Sequence, residues 1–119
     1  MLMETTKQAE LEAGRFIHRG MKYLRASFPE RTRDYDDDSL KNTLIDQCRY
    51  ALENGFETER DVMSLVDLQW RLPEDFRTNE KTAWVHEILS DPDMDVSLKI
   101  EALQSAFAMF LALAEETEE

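Results

Sequence analysis

The chain has 119 residues, of which 42% are hydrophobic and 34% charged, and its formal net charge is −12. That length is typical of one domain, and this share of apolar side chains can form a core without disulfide bonds or metal ions. A field this negative repels phosphate backbones and anionic lipid headgroups, which argues against nucleic-acid and membrane binding. Three glycines and three prolines among many Glu, Leu, Ala, Lys and Arg residues favour an all-α fold.

The first predicted helix runs from about Thr6 to Ser27. Its apolar residues recur at steps of four, three and four, the spacing of one helix face: Ile17, Met21, Leu24 and Phe28. Pro29 is expected to end the helix. The charged segment PERTRDYDDDS is then predicted to be a linker, in which Asp38 or Ser39 caps the second helix.

The same linker resembles the start of a calcium-binding EF-hand loop, because Asp34, Asp36 and Asp38 alternate along it. The remainder of such a loop is missing. Ser39 stands where the sharp turn needs glycine, and Ile45 stands where a glutamate ligand is needed. We therefore expect these carboxylates to serve the helix start and to bind no calcium.

Two helices are predicted in the middle of the chain. The second spans about Leu40 to Glu53 and ends at Asn54-Gly55, a typical C-terminal signal; its apolar face is Leu40, Leu44, Ile45, Cys48 and Leu52. The third begins at the cap residue Thr58 and stops at Pro73; its stripe is Val62, Leu65, Val66 and Leu72, interrupted by Gln69. Trp70 and Met63 lie off that stripe, so this helix is either covered on two sides or presents an exposed aromatic residue at an interface.

A short fourth helix, roughly Glu80 to Leu89, is predicted with Trp84, Ile88 and Leu89 inward, and Asp95 is expected to cap a fifth helix that reaches about Ala114. The fifth helix carries a heptad-like seam: Val96, Ile100, Leu103, Phe107, Phe110 and Ala114. Further apolar residues lie outside that seam: Leu98, Ala106, Met109, Leu111 and Leu113. Either this helix is central in the bundle, or its C-terminal half pairs with another chain.

Together these elements predict a single compact domain over residues 1–119, a bundle of about five helices with short connections and with frayed ends at 1–5 and 115–119. The N-terminus lacks a targeting pattern, and no run approaches the roughly 18 apolar residues that span a bilayer. The single cysteine, Cys48, fits a reducing compartment. We expect a cytoplasmic protein.

No residue pattern points to catalysis. His18 and His86 belong to no metal-spaced pair, and the chain lacks P-loop, nucleophile-elbow and dinucleotide-binding motifs. The many carboxylates are typical of a solvated helical surface. We therefore predict a binding protein that is not an enzyme and has no metal or other cofactor.

Several short motifs together resemble a known group of proteins: FPER at 28–31, FETERDV at 56–62, and WVHEILSDP at 84–92. They are similar to small accessory proteins encoded beside the VgrG spike, PAAR-repeat tip and toxic effector genes of bacterial type VI secretion. The similarity covers about 15–107. It departs from the group's pattern at residues 69–73 and at Ala83, where a proline is expected.

The resemblance implies a partner: the cognate effector or toxin, or a VgrG or PAAR component. It implies a role as chaperone or loading adaptor, or alternatively as an immunity protein that neutralises the toxin. The breadth of apolar surface on the fifth helix favours the chaperone or adaptor role. A further alternative is a structural subunit that self-associates through the 96–114 seam, which leaves a homodimer open.

The predicted partner contacts are four apolar residues of the fifth helix and one aromatic anchor in the third. They are Phe107, Met109, Phe110, Leu113 and Trp70. Core packing is the competing interpretation for Phe107 and Phe110.

Overall fold

The computed structural model describes the backbone of residues 2–117 and the side chains of residues 13–114. The predicted frayed ends, 1–5 and 115–119, lie outside the described side chains. Within 2–117 the chain forms no β-strand and six α-helices: α1 (Leu2–Ser27), α2 (Pro29–Thr32), α3 (Asp37–Glu53), α4 (Glu59–Arg71), α5 (Ala83–Leu89) and α6 (Val96–Thr117). A 3₁₀ turn, Glu80–Thr82, leads into α5. The all-α bundle prediction is confirmed.

Part of the charged segment after α1 is helical, so the prediction of a plain linker is wrong there. Pro29 suits the first turn of α2 because that position needs no backbone donor. The hydroxyl of Thr32 donates to the Phe28 carbonyl at 2.7 Å, and Thr32 is buried. Arg25 then donates to the carbonyls of Thr32 and Tyr35, at 3.0 and 2.9 Å, which fixes the chain as it leaves α2.

The cap of α3 is Asp36, not Asp38 or Ser39 as predicted. The Asp36 carboxylate accepts a hydrogen bond from the backbone N–H of Ser39 at 2.8 Å, and Asp37 and Asp38 occupy the first turn. Negative side chains stabilise that end of a helix because its backbone N–H groups have no partners of their own. The alternating aspartates therefore have a structural explanation.

The core lies where α4 packs against α3, α1 and α6. Its fully buried members include Leu24, Leu40, Leu44, Phe56, Val66 and Leu72. The buried residues predicted for α3 and α4 are largely correct, but Leu52 of the predicted α3 face is 57% exposed. Gly20 lets α1 approach α3, since a Cβ atom there would lie 2.9 Å from Leu44 Cδ2.

Helix α6 lies at the edge of the bundle, so the interpretation of it as the central helix is wrong. Leu103 is its one fully buried side chain among those described, at 3% exposure. As predicted, Asp95 caps α6, accepting from the Leu98 N–H at 2.9 Å. Lys99 Nζ donates to the Leu89 carbonyl at 2.8 Å, tying the first turns of α6 to the end of α5.

The two glycines at exposed positions should respond to alanine with opposite signs. Gly55 closes α3 with φ at +88°, where a Cβ atom is strained, so we expect Gly55→Ala to destabilise the fold by about 1 kcal/mol. Gly14 lies within α1 with nothing near its Cβ position, so Gly14→Ala should stabilise by about 1 kcal/mol. Urea unfolding followed by circular dichroism measures both, and equal signs would contradict this account.

Candidate protein-binding surface on helix α6

One face of α6, the predicted seam, packs against the rest of the bundle. Val96, Ile100 and Phe107 are half-buried against the core, on either side of Leu103. The ring of Phe110 lies 6.0 Å from the Trp84 ring of α5, measured between centroids. Because α4, α5 and the core cover most of this face, it is largely unavailable for pairing with a second copy.

A second apolar face of α6, here the outer stripe, lies about a third of a turn away from the seam. Its members recur at steps of four, four, three and four residues: Leu98, Ala102, Ala106, Met109 and Leu113. Leu98, Met109 and Leu113 are 50%, 67% and 59% exposed, although each is large and apolar. Soluble monomers seldom align exposed residues of this kind, so the outer stripe is a candidate interface.

The shape of the outer stripe favours close packing. Ala102 and Ala106 are half-buried and small, and they lie between Leu98 at one end and Met109 and Leu113 at the other. Small residues between large ones leave a shallow depression that a partner's side chains can fill. From Leu98 to Leu113 the stripe is about 22 Å long at 1.5 Å per residue.

Acidic residues flank this apolar stretch at both ends. Residues 102–114 carry no charged side chain. The acids before the stretch are Asp91, Asp93, Asp95 and Glu101, and those after it in sequence are Glu115, Glu116, Glu118 and Glu119. Against these eight acids, residues 91–119 hold a single base, Lys99, so most of the chain's net charge of −12 belongs to this segment.

A cleft of about 300 Å³ lies between α4 and the seam of α6, lined by apolar side chains such as Leu65, Leu68 and Phe107. Asp67 stands at its rim and accepts hydrogen bonds from the Tyr23 hydroxyl and from Arg71 Nε, the latter at 2.6 Å. The bond to Asp67 raises the pKa of Tyr23 and that of Arg71. Both groups therefore stay protonated at neutral pH, and the Asp67 carboxylate is held by two hydrogen-bond donors.

The five predicted contact residues divide into three environments. Met109 and Leu113 belong to the outer stripe and are exposed. Phe107 lines the cleft and Phe110 packs on α5, so both mainly support α6. Trp70 is 3% exposed, and its prediction as an accessible aromatic anchor is wrong. The other interpretation of a tryptophan off the apolar stripe is correct: helix α4 is covered on two sides.

Trp70 is held in the core by a polar network that the sequence did not reveal. Its indole Nε1 donates to Gln47 Oε1 at 2.6 Å. Gln69, which interrupts the apolar stripe of α4, is buried; it donates to the Gln47 carbonyl at 3.2 Å and accepts from Arg77 at 3.2 Å. The interruption of the stripe by Gln69 was the available signal, because a glutamine in a buried row needs partners.

Two side chains that could carry chemistry, those of His86 and Cys48, lie in structural environments. Residues 13–114 contain no cluster of three His, Cys, Asp or Glu side chains that could hold a metal ion. His86 Nε2 lies 3.2 Å from Ser90 Oγ, but that hydroxyl donates to the His86 carbonyl at 2.7 Å and so closes α5. Burial raises the pKa of the Cys48 thiol to about 11, which leaves it unreactive at neutral pH.

Helix α6 is also long and apolar enough to cross a bilayer by length and composition. The stretch Val96–Ala114 has a mean hydropathy of 1.4, and 6% of it is buried. The prediction that no run approaches membrane-spanning length therefore missed this stretch. Its first turns are bound to α5 through Lys99, and the uncharged part from Ala102 to Ala114 is about 20 Å long, short of a full span.

Comparisons with protein families, with curated proteins and with solved structures found no match. The outer stripe is therefore interpreted from its own geometry and charge.

The two tryptophans offer a matched pair for testing the polar network. Trp70→Phe removes the hydrogen-bond donor to Gln47 Oε1, which is half-buried, so we expect a loss of stability of about 1 kcal/mol beyond the effect of the change in ring size. Trp84 Nε1 is buried with no hydrogen-bond partner among the described residues, so Trp84→Phe should be less destabilising. Urea unfolding compares the two, and a larger loss for Trp84→Phe would contradict the assignment.

Cys48 should be protected from thiol reagents. Against an ordinary value of 9.0, a pKa of about 11 leaves about 100-fold less thiolate at pH 8 in the folded chain than in the unfolded chain. We expect Ellman's reagent to react at least that much more slowly without urea than with it. Because the thiol ionises at lower pH in the unfolded chain, Cys48 should also lower the free energy of unfolding as the pH rises from 9 towards 11. Cys48→Ala should lack this contribution to the pH dependence of stability.

Proposed function

We propose that this chain is a non-enzymatic protein-binding accessory of a bacterial type VI secretion system, acting in the cytoplasm as an effector chaperone or loading adaptor. The observation that carries the proposal is the outer stripe, in which three large apolar side chains are each at least half exposed. A row of this kind suits an apolar segment that a partner must keep out of water. The motif resemblance supports the effector, or a VgrG or PAAR component, as that partner.

A protein partner accounts for α6 better than a lipid surface does. Helices that lie in a membrane interface carry Lys and Arg on their polar face and are attracted by anionic lipids. Beyond Lys99, α6 carries no basic residue, and acids flank its apolar stretch on both sides. Anionic headgroups would repel such a helix.

The immunity role remains the alternative, and the charge of the chain is what favours it. An inhibitor of a toxin with a cationic active site needs acids grouped at the contact. Here the acids flank the apolar stripe instead of filling it, which suits a holder of an apolar segment better than a plug for a cleft. A self-associating subunit is the further alternative, and the occupied seam argues against its predicted form.

Co-expression with the effector encoded beside this gene tests the proposal. We expect a higher soluble yield of the effector with its growth inhibition retained. Growth inhibition that disappears, together with a stable complex of fixed stoichiometry, would establish the immunity role instead. An effector whose yield and toxicity are both unchanged would overturn both roles.

A matched pair of variants tests whether the outer stripe is the contact. Met109→Asp places a charge within the stripe, and we expect recovery of the complex by affinity purification to fall at least tenfold. Leu52→Asp makes the same kind of change at a comparably exposed residue of α3 and should leave recovery unchanged. Both sites are exposed, so both variants should fold, as circular dichroism will show. Equal recovery with Met109→Asp and the unaltered chain would contradict the assignment of the stripe.

A further inference from the structure

We infer that the outer stripe binds a cationic amphipathic helix of the partner, with an apolar face about four turns long and Lys or Arg residues beyond each end of that face. This inference rests on the proposed function and specifies the chemistry of the bound segment. Three observations support it: the helical spacing of the stripe, the small residues at its middle, and the acids at its two ends.

The spacing and relief of the stripe select a helix as the occupant. Steps of four, four, three and four residues place its members along one line on α6, the arrangement that side chains of a second helix interdigitate with. Ala102 and Ala106 let the partner's axis approach to about 8 Å, the short end of helix packing distances. A strand would present side chains at every second residue and would match neither the spacing nor the depression.

The charges select a cationic partner. A helix that covers the stretch from Leu98 to Leu113 ends beside Asp95 at one side and beside the last described turn of α6, which begins at Glu115, at the other. The single base in this part of the chain, Lys99, already donates to the Leu89 carbonyl. Basic residues about 25 Å apart on the partner, slightly more than the 22 Å of the stripe, would meet acids at both ends.

The same charges disfavour a second copy of this chain as the occupant. In a parallel pair, Asp95 would lie near its own equivalent, and positions 115 and 116 of the two helices, both glutamate, would lie side by side. In an antiparallel pair, positions 115 and 116 of each helix would lie near Asp95 of the other copy. Both orientations place acid beside acid at each end, and like charges at an interface oppose association.

Designed peptides test the inference on the full chain. The probe is a 21-residue helix with leucine at its heptad core positions, alanine and glutamine elsewhere, and three lysines in its first turn and three in its last. One control replaces every lysine by glutamate, and a second scrambles the lysine peptide so that its charge stays and its apolar face is lost. We expect the lysine peptide to bind at least about 10-fold more tightly than either control in 50 mM salt, by calorimetry.

Uncharged variants separate stripe binding from general attraction to an acidic protein. Met109→Gln keeps the charge and nearly the size, and we expect it to weaken binding of the lysine peptide at least about threefold. Leu52→Gln on α3 should leave binding unchanged. Equal effects of the two variants would show binding outside the stripe and would overturn the inference.

The competing occupants give different results in two further measurements. Light scattering that shows a dimer at 10 μM, lost in Met109→Gln, would identify a second copy and overturn the inference. Co-sedimentation with phosphatidylcholine vesicles containing one quarter phosphatidylglycerol would identify a lipid surface and overturn it as well. If the effector binds through Met109 while the lysine peptide binds no better than its controls, the inference fails and the proposed function stands.

Discussion

The packing of α4 against α3 is the constraint on which the rest of the molecule depends. Helix α4 buries side chains toward α3 and α1 on one side and toward α6 on the other, so it positions both halves of the bundle. Its end is fixed as well, since Arg31 donates to the Leu72 carbonyl at 3.2 Å and to the Trp70 carbonyl. Every other helix takes its place from this pair, directly or through one intermediate.

A polar network makes the α3–α4 contact specific as well as apolar. Gln47 accepts from Trp70 and, through its carbonyl, from Gln69, while Arg77 bridges Gln69 and Asp46. A slide of one helix along the other would leave these buried groups without partners, whereas leucines alone would tolerate it. The network therefore selects one register of α4 on α3.

Short-range sequence signals predicted most of the helix boundaries. Pro29, Thr58, Gly55 and Asp95 mark helix boundaries by chemistry that acts within a few residues, and each marked one in the structure. Burial was harder to predict, because it depends on which neighbour covers a face. The periodicity of α6 showed apolar residues both on the seam and outside it, without indicating how much of the helix the bundle covers. It also placed Trp70 off the apolar stripe of α4, although α4 is covered on both sides and Trp70 is buried. Of the outer stripe, therefore, only Met109 and Leu113 were predicted as contact residues from the sequence.

The separation of the two faces of α6 has a consequence for how such a surface can change. Leu103 and its neighbours on the seam hold the helix in place, whereas Leu98 and Met109 contribute little to the core. Substitutions at Leu98 and Met109 should therefore leave the packing of the seam unchanged. Substitutions along the outer stripe can change the surface that α6 presents, while the scaffold keeps its sequence and its stability.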